Sequence, residues 1–237
     1  MFRGAIFDFD EVIADSHPVH LRAWKKVLDS VGRAASGDEL QFVLDGRTRD
    51  DIVRHFLGDL DAEKMAEYGR CKEQFFRDEA ADVQTIKGVP RFLEKLEEAQ
   101  LPLGIASSGS RARIEFLLER LKLKKHFGVV VTGDEVAQGK PHSAVFRKAA
   151  EHVGADPCEL IAFEDAASGV KAAKSAGMTC VGIAASDRSS ILVDVGANHV
   201  VPDFRSLSYP KIQKISCSAL QPAACSSADS LARSLPD

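Results

Sequence analysis

Five short apolar runs constrain the fold of this chain more than any other feature: AIFDFD (5–10), PLGIASS (102–108), GVVVTGD (128–134), LIAFED (160–165) and CVGIAAS (180–186). None alternates strictly between apolar and polar residues, as a strand with one wet face would. Near-continuous apolar runs instead mark strands covered on both faces, and a parallel sheet between helices supplies that covering. The intervening segments supply the helices. RIEFLLERLKL (113–123) places Ile114, Leu117, Leu118 and Leu121 on one stripe, and SAVFRKAAEHVG (143–154) ends in Gly154, a helix C-cap. The expected fold is α/β, a doubly wound parallel sheet forming a Rossmann-like core.

The stretch 15–86 has a different character. It is rich in charge and helix formers, reads without a strand, and contains HLRAWKKVLDSVG, RDDIVRHFLGDL and AEKMAEYGRCKEQFFRDEAA. It is expected to be an inserted α-helical cap domain, with Leu21, Trp24, Val27 and Leu28 at helical spacing and Trp24 in a core. The expected organisation is thus a core from 1–14 and 87–215, a cap from 15–86, and a Ser/Ala-rich disordered tail from 216–237.

Composition narrows the function classes. A net charge of −4 carries no electrostatic footprint for nucleic acid, and no apolar run reaches the roughly 20 residues that span a bilayer. The N-terminus lacks an apolar signal region, so a cytoplasmic location is expected. The five cysteines are an odd number without a Cys-x-x-Cys pair, which argues for free thiols rather than disulfides or a zinc site. Nothing in the sequence assigns an oligomeric state.

Chemistry gathers at the ends of the apolar runs, where open parallel sheets bind ligands. Asp8 and Asp10 lie two apart, on the same side of an extended chain. Ser107 and Ser108 follow LGIA just before a helix opening near Arg111, where hydroxyls and free N–H groups suit a phosphate. Glu164 and Asp165 close LIAF. Lys140 stands in GKPHSAVF, with Pro141 expected to start the next helix. Singly, each acid reads equally well as a turn or N-cap residue, each serine as a cap and the lysine as a surface charge. Jointly they form a cluster. Like charges about 4 Å apart repel by roughly 4 kcal/mol per pair at an effective dielectric near 20, so four carboxylates with one lysine call for a cation. Oxygen ligands that must share the ion with phosphate favour Mg²⁺.

In this order, DFDEVIADS, IASSGS, GKPHSAVF and AFEDAASGVKAAKSAGM resemble the four motifs of the haloacid dehalogenase superfamily, and within it the β-phosphoglucomutase-like phosphatases with a helical cap after the first strand. The resemblance implies that Asp8 is the nucleophile that forms an aspartyl-phosphate and also binds Mg²⁺. It implies that Asp10 is the general acid/base, that Ser107 and its amides hold the phosphoryl group, and that Lys140 neutralises charge. Asp8, Asp10, Glu164 and Asp165 are then the metal-site residues, and His20, Gly46, Arg49 and Ser108 bind substrate. The implied reaction is removal of phosphate from a small phosphorylated metabolite, with a sugar phosphate as the expected class. The aspartate at position 10 favours phosphate chemistry over carbon–halogen cleavage. A phosphonate hydrolase would carry a cap lysine for a Schiff base, and none is matched. The alternatives are a β-phosphoglucomutase-type mutase and a non-enzymatic phosphate-sensing domain.

Several cap and hinge positions refine this picture. His17 and His20 stand three apart at the start of the first cap helix. In LDGRTRDD, Thr48 and Asp51 read as a capping box, Arg47 as a solvated side chain, and Gly46 as a point of close approach. Asp45 stands where β-phosphoglucomutases carry lysine, which favours a phosphatase. Glu11 stands where the resemblance expects glycine, so either its backbone is strained or it is extended.

Overall fold

The computed structural model describes residues 2–44 and 47–220, with backbone alone at 219 and 220. In chain order it holds β1 (Gly4–Phe7), β2 (Ala14–Asp15), α1 (His17–Ser30), α2 (Gly37–Leu40), α3 (Arg49–Leu57), α4 (Ala62–Glu79), β3 (Gln84–Thr85) and α5 (Val89–Glu98). There follow β4 (Leu103–Ala106), α6 (Arg111–Arg120), β5 (Val129–Val131), α7 (Ala144–Val153), β6 (Leu160–Glu164), α8 (Ala167–Ala176), β7 (Thr179–Ile183), α9 (Ser186–Asp194), β8 (His199–Val201) and α10 (Tyr209–Leu220).

Six strands form one sheet in the order β5-β4-β1-β6-β7-β8, with every neighbouring pair parallel. The four inner strands are buried along their whole length, which is why their sequences do not alternate. From β1 the chain winds outward through β4 and β5 on one side and through β6, β7 and β8 on the other. The sheet therefore changes direction at β1, the position where such folds bind ligands.

Alternation reappears in which face each side chain joins. Ala5, Phe7, Ile161 and Phe163 enter one apolar cluster, while Ile6, Leu160 and Ala162 enter the other. The rings of Phe7 and Phe163 stack with centroids 4.7 Å apart, an aromatic pair worth about 0.5–1.5 kcal/mol beyond its buried area. A third cluster belongs to the helical layer alone and packs Trp24, Val27, Leu28, Ile52, Val53 and Phe56 together. Trp24 is thus a core residue, as its spacing predicts. Thr48 caps α3 by accepting the N–H of Asp51, and Gly154 closes α7 in the left-handed conformation.

The structure departs from the sequence reading at several elements. Strand β8 completes the sheet although HVV is too short and too exposed to stand out. The segment read as strand-free contributes Asp15 of β2 and all of β3, which pair antiparallel where the chain leaves the sheet for the helices and returns. Two-residue strands carry no readable period. Helix α7 opens at Ala144 behind Ser143, not at Pro141. Helix α10 runs to Leu220 with Ile212 and Ser216 buried, so residues 216–220 of the expected tail are helical, while 221–237 lie outside the described residues. Among the described residues no helix is long and apolar enough to cross a membrane, and Cys71, Cys158, Cys180 and Cys217 are free thiols.

Candidate active site

Parallel register brings the predicted residues to one edge of the sheet. Phe7 pairs with Ile105 and with Phe163, so Asp8, Ser107 and the Glu164–Asp165 pair all emerge at the carboxyl ends of adjacent strands. Asp8 is anchored by its N–H, which donates to the Phe163 carbonyl at 2.9 Å. The cavity over this edge has a volume of about 350 Å³ and is lined also by Arg49, Lys72 and His20 of the helical layer.

Lys140 is the hub. Its buried Nζ donates to Asp8 Oδ1 at 2.5 Å, Glu164 Oε1 at 2.6 Å and the Ala106 carbonyl at 3.0 Å, using the three donors an ammonium has. Glu164 is held in turn from its other oxygen, which accepts the N–H groups of Asp165 and Ala166. Gly169 of α8 makes this geometry available: a Cβ there would sit 1.8 Å from Glu164 Oε1.

Charges in this cluster do not balance. Burial pushes Asp8 up to about 7 against the pull of Lys140, with Glu164 and Asp10 adding to the rise. Burial and the same acidic neighbours, Glu164 and Asp8, hold Asp165 well above the usual carboxylate range. Burial works against the Lys140 ammonium, but Asp8 and Glu164 outweigh it and raise its pKa. Oxygen atoms of Asp8, Glu164 and Asp165 lie within 4.8 Å of one another, and Asp165 Oδ2 is buried without a hydrogen-bond partner. Arg188 approaches that oxygen only to 3.5 Å, while donating to the Asp165 carbonyl at 2.9 Å. Buried acids with a spare hard oxygen are what a divalent cation needs.

The serine loop supplies the opposite chemistry. Ser107 is fully buried and its Oγ accepts the Gly109 N–H at 3.1 Å. The hydroxyls of Ser108 and Ser110 are buried without partners, two donors in a cavity that holds carboxylates and a lysine. Neither Ser107 nor Ser108 caps α6; Ser110 occupies that position. Ser110 is a residue that the sequence reading missed, although its place as the last serine of SSGS before the helix was a usable signal.

Asp10 belongs to a different cluster from the one its sequence neighbours suggest. Its Oδ1 accepts Ser16 Oγ at 2.6 Å and Arg113 Nη1 at 2.7 Å, and lies 3.2 Å from His20 Nε2; its Oδ2 accepts Arg113 Nη2 at 2.9 Å. Burial alone would raise this carboxyl, but Arg113 and His20 outweigh it and hold the group well below its usual range. The acids whose oxygens lie close enough to share an ion are Asp8, Glu164 and Asp165; the oxygens of Asp10, expected as a further metal-site residue, face the guanidinium, the imidazole and the Ser16 hydroxyl instead. His20 itself is pushed down to about 3 by burial and by the Lys72 and Arg113 cations, which keeps it neutral.

On the cap wall the sequence was a poorer guide. Arg49 lines the cavity, lies across Gly69 of α4 and donates to Asp50 at 3.1 Å. Arg47 is not simply solvated, since its guanidinium rests 5.1 Å over the Phe42 ring and also lines the cavity. Gly46 and Asp45 lie outside the described residues. Lys72, which no motif marks, is a buried cap lysine 4.8 Å over the Phe76 ring and 3.2 Å from Glu73, pushed down to about 8 first by burial and then by Arg113.

Glu11 has a structural role at the hinge. Its backbone is left-handed, at φ 56°, and its Oε1 accepts the N–H groups of Ser16 and His17 at 3.0 and 2.9 Å. Because the Ser16 hydroxyl is committed to Asp10, Glu11 supplies the cap that α1 otherwise lacks. Burial pushes its carboxyl up to about 7 against those two hydrogen bonds.

Comparison with known proteins agrees with this fold. The family model for haloacid dehalogenase-like hydrolases matches residues 5–183. The chain is 30% identical over 187 residues to fructose-1-phosphate phosphatase YqaB of Escherichia coli, covering 77% of this chain and 96% of that one. It is also 30% identical over 241 residues to a β-phosphoglucomutase of Mycobacterium bovis, covering 86% and 91%. A crystal structure of β-phosphoglucomutase from Clostridium difficile shares the fold at a TM-score of 0.83 and 22% identity, over 92% of this chain and 98% of that one. The chain therefore belongs to the haloacid dehalogenase-like hydrolase family.

Proposed function

We propose that this protein is a Mg²⁺-dependent phosphatase that removes phosphate from a small phosphorylated metabolite of the sugar phosphate class, through an aspartyl-phosphate on Asp8. The observation that carries this reading is the Lys140 hub, which joins Asp8 to Glu164 beside a carboxylate oxygen of Asp165 and the hydroxyls of Ser108 and Ser110, all three buried without a hydrogen-bond partner. One side of the cavity floor suits a cation and the other an anion.

Asp8, Glu164 and Asp165 fit magnesium in their hard oxygen donors, and Asp165 Oδ2 is the atom most in need of one. When bound, the ion neutralises charge on the phosphoryl oxygens. The residues of the chain do the rest. Lys140 holds Asp8 in place and offsets its charge, while Ser107, Ser108 and Ser110 orient the phosphoryl group. An Asp8 oxygen attacks phosphorus as the bond to the leaving oxygen breaks, and that oxygen takes the proton that Asp10 carries into this step in its protonated form. This leaves Asp10 as a carboxylate until the attacking water restores the proton. Asp10 as carboxylate then accepts the proton of the water that cleaves the acyl phosphate, the form favoured by its pairing with Arg113. His20, Arg49 and Lys72 face the rest of the substrate, a wall able to take hydroxyls or a further anionic group.

A panel of sugar and nucleotide monophosphates, assayed for phosphate release with Mg²⁺ and again in excess EDTA, tests this reading. An assay for conversion of β-glucose 1-phosphate to glucose 6-phosphate runs beside it. Phosphate release that depends on Mg²⁺ and exceeds isomerisation is the expected outcome. Isomerisation with little free phosphate would establish a mutase, and no turnover of any ester would leave a phosphate-sensing domain.

A further inference from the structure

Arg113 stands apart from every residue assigned above. No strand end or motif marks it; it sits in the first turn of α6, and it is 3% exposed. Its guanidinium holds both oxygens of Asp10 at 2.7 and 2.9 Å, lies 3.1 Å from His20 Nε2 and rests 5.2 Å over the Phe76 ring. It therefore reaches from the core to α1 and α4 of the helical layer.

The serine loop is shaped around it. A Cβ at Gly109 would lie 2.0 Å from Arg113 Nη2 and 2.9 Å from its Cζ, so only glycine at this point of SSGS lets the guanidinium pass to Asp10. Both oxygens of Asp10 are oriented by a planar two-pronged donor, which fixes a carboxylate more tightly than a single ammonium can. A group that transfers protons must be held within hydrogen-bond reach of the atom it serves, and small misplacements cost large factors in rate.

We propose that Arg113 is a positioning residue that aims the Asp10 carboxyl at the leaving oxygen, ties that aim to the seating of the helical layer through His20 and Phe76, and depends on Gly109 for its path. The proposal rests on the phosphatase reading, in which Asp10 serves the leaving oxygen. It separates Arg113 from groups that bind phosphate, because its effect follows the leaving group. A p-nitrophenolate departs without a proton, whereas a sugar alkoxide needs one.

Rapid-quench measurement of phosphoryl transfer from a sugar phosphate and from p-nitrophenyl phosphate tests this in Arg113→Met, Arg113→Lys and Gly109→Ala, with thermal melts to verify folding. Transfer from the sugar ester is expected to fall about 10²-fold in Arg113→Met, with p-nitrophenyl transfer within about 3-fold of wild type. Arg113→Lys should recover part of the loss, and Gly109→Ala should show the same split between the two esters without removing the guanidinium. Equal losses on both esters, or no loss on either, would overturn the positioning role. A readout independent of turnover is the pair of Nη–H signals of Arg113 by ¹⁵N NMR, the groups that donate to Asp10. Slow solvent exchange in wild type that becomes fast in Asp10→Asn supports the clamp, and fast exchange in wild type overturns it even if no phosphate ester proves to be a substrate.

Discussion

On the core side of the cavity, Asp8, Lys140, Glu164 and Asp165 stand at or just beyond strand ends, or reach them through a buried lysine. On the cap side, His20, Arg49 and Lys72 project from three helices packed around Trp24. Sheet register places Asp8, Glu164 and Asp165, and Asp8, Lys140 and Glu164 are each held by two or three polar contacts. Helix packing places the second group, and Arg49 has a single exposed ion pair with its own neighbour. On the proposed reading, the reaction belongs to the core wall and the choice of substrate to the cap wall. Substitution of Asp8, Lys140, Glu164 or Asp165 should therefore act alike on every phosphate ester, and substitution of Arg49 or Lys72 should act on the substrate's other end.

The largest break in this contrast is expected from Lys140→Met. It leaves the Asp8 and Glu164 carboxylates buried without their cation, a loss of about 3–5 kcal/mol in the metal-free protein, together with turnover of all esters. Urea titration with and without Mg²⁺ measures the first effect, and Mg²⁺ should recover part of it. An unchanged midpoint would contradict the hub.

Lys72→Met probes the opposite wall and should separate stability from function. The folded pKa of Lys72, about 8, lies below its ordinary 10.5, so the unfolded chain binds more protons at this site between those values. Stability therefore rises with pH through that window, and below it the buried ammonium costs on the order of 3 kcal/mol. Substitution by methionine should raise Tm at pH 7, flatten the rise in stability from pH 8 to 10.5, and raise KM for a sugar phosphate several-fold. Turnover of p-nitrophenyl phosphate should change little. A proportional loss on both esters would move Lys72 from the specificity wall to the reaction.

The smallest effect belongs to the hinge between the walls. Glu11→Gly relieves a left-handed backbone worth about 1–2 kcal/mol and removes a helix cap worth about 1 kcal/mol, so the net change in stability should be within about 1 kcal/mol. Glu11→Ala loses the cap and keeps the strain, and should be less stable than Glu11→Gly by about 1 kcal/mol. Equal midpoints for the two variants in denaturant would show that the backbone at residue 11 is not strained.

Legibility in the sequence followed the same division. Asp8, Ser107, Glu164 and Asp165 were readable because a parallel sheet sends every strand end to one edge, so a residue's place in its run determines its place in space. Lys140 was readable as a lysine beside Pro141 on the same rim, but its role came only with the resemblance, since its segment lies in a loop. Strand β8 and the β2–β3 ribbon were too short to carry a period. Lys72 and Arg113 lie inside helices rich in charge, where nothing in the spacing distinguishes a buried cation from a solvated one. Glu11 was visible as a departure, but its role as a cap depends on Ser16 being committed to Asp10, a tertiary fact.

The central claim is that Asp8 accepts the phosphoryl group. The most direct test is borohydride trapping during turnover of a hydrolysed ester, which reduces an aspartyl-phosphate to homoserine, followed by peptide mass spectrometry. Homoserine is expected at position 8 and at no other acidic residue, dependent on substrate and Mg²⁺, and absent in Asp8→Asn together with turnover. Steady turnover without reduction at position 8, or an active Asp8→Asn enzyme, would contradict it.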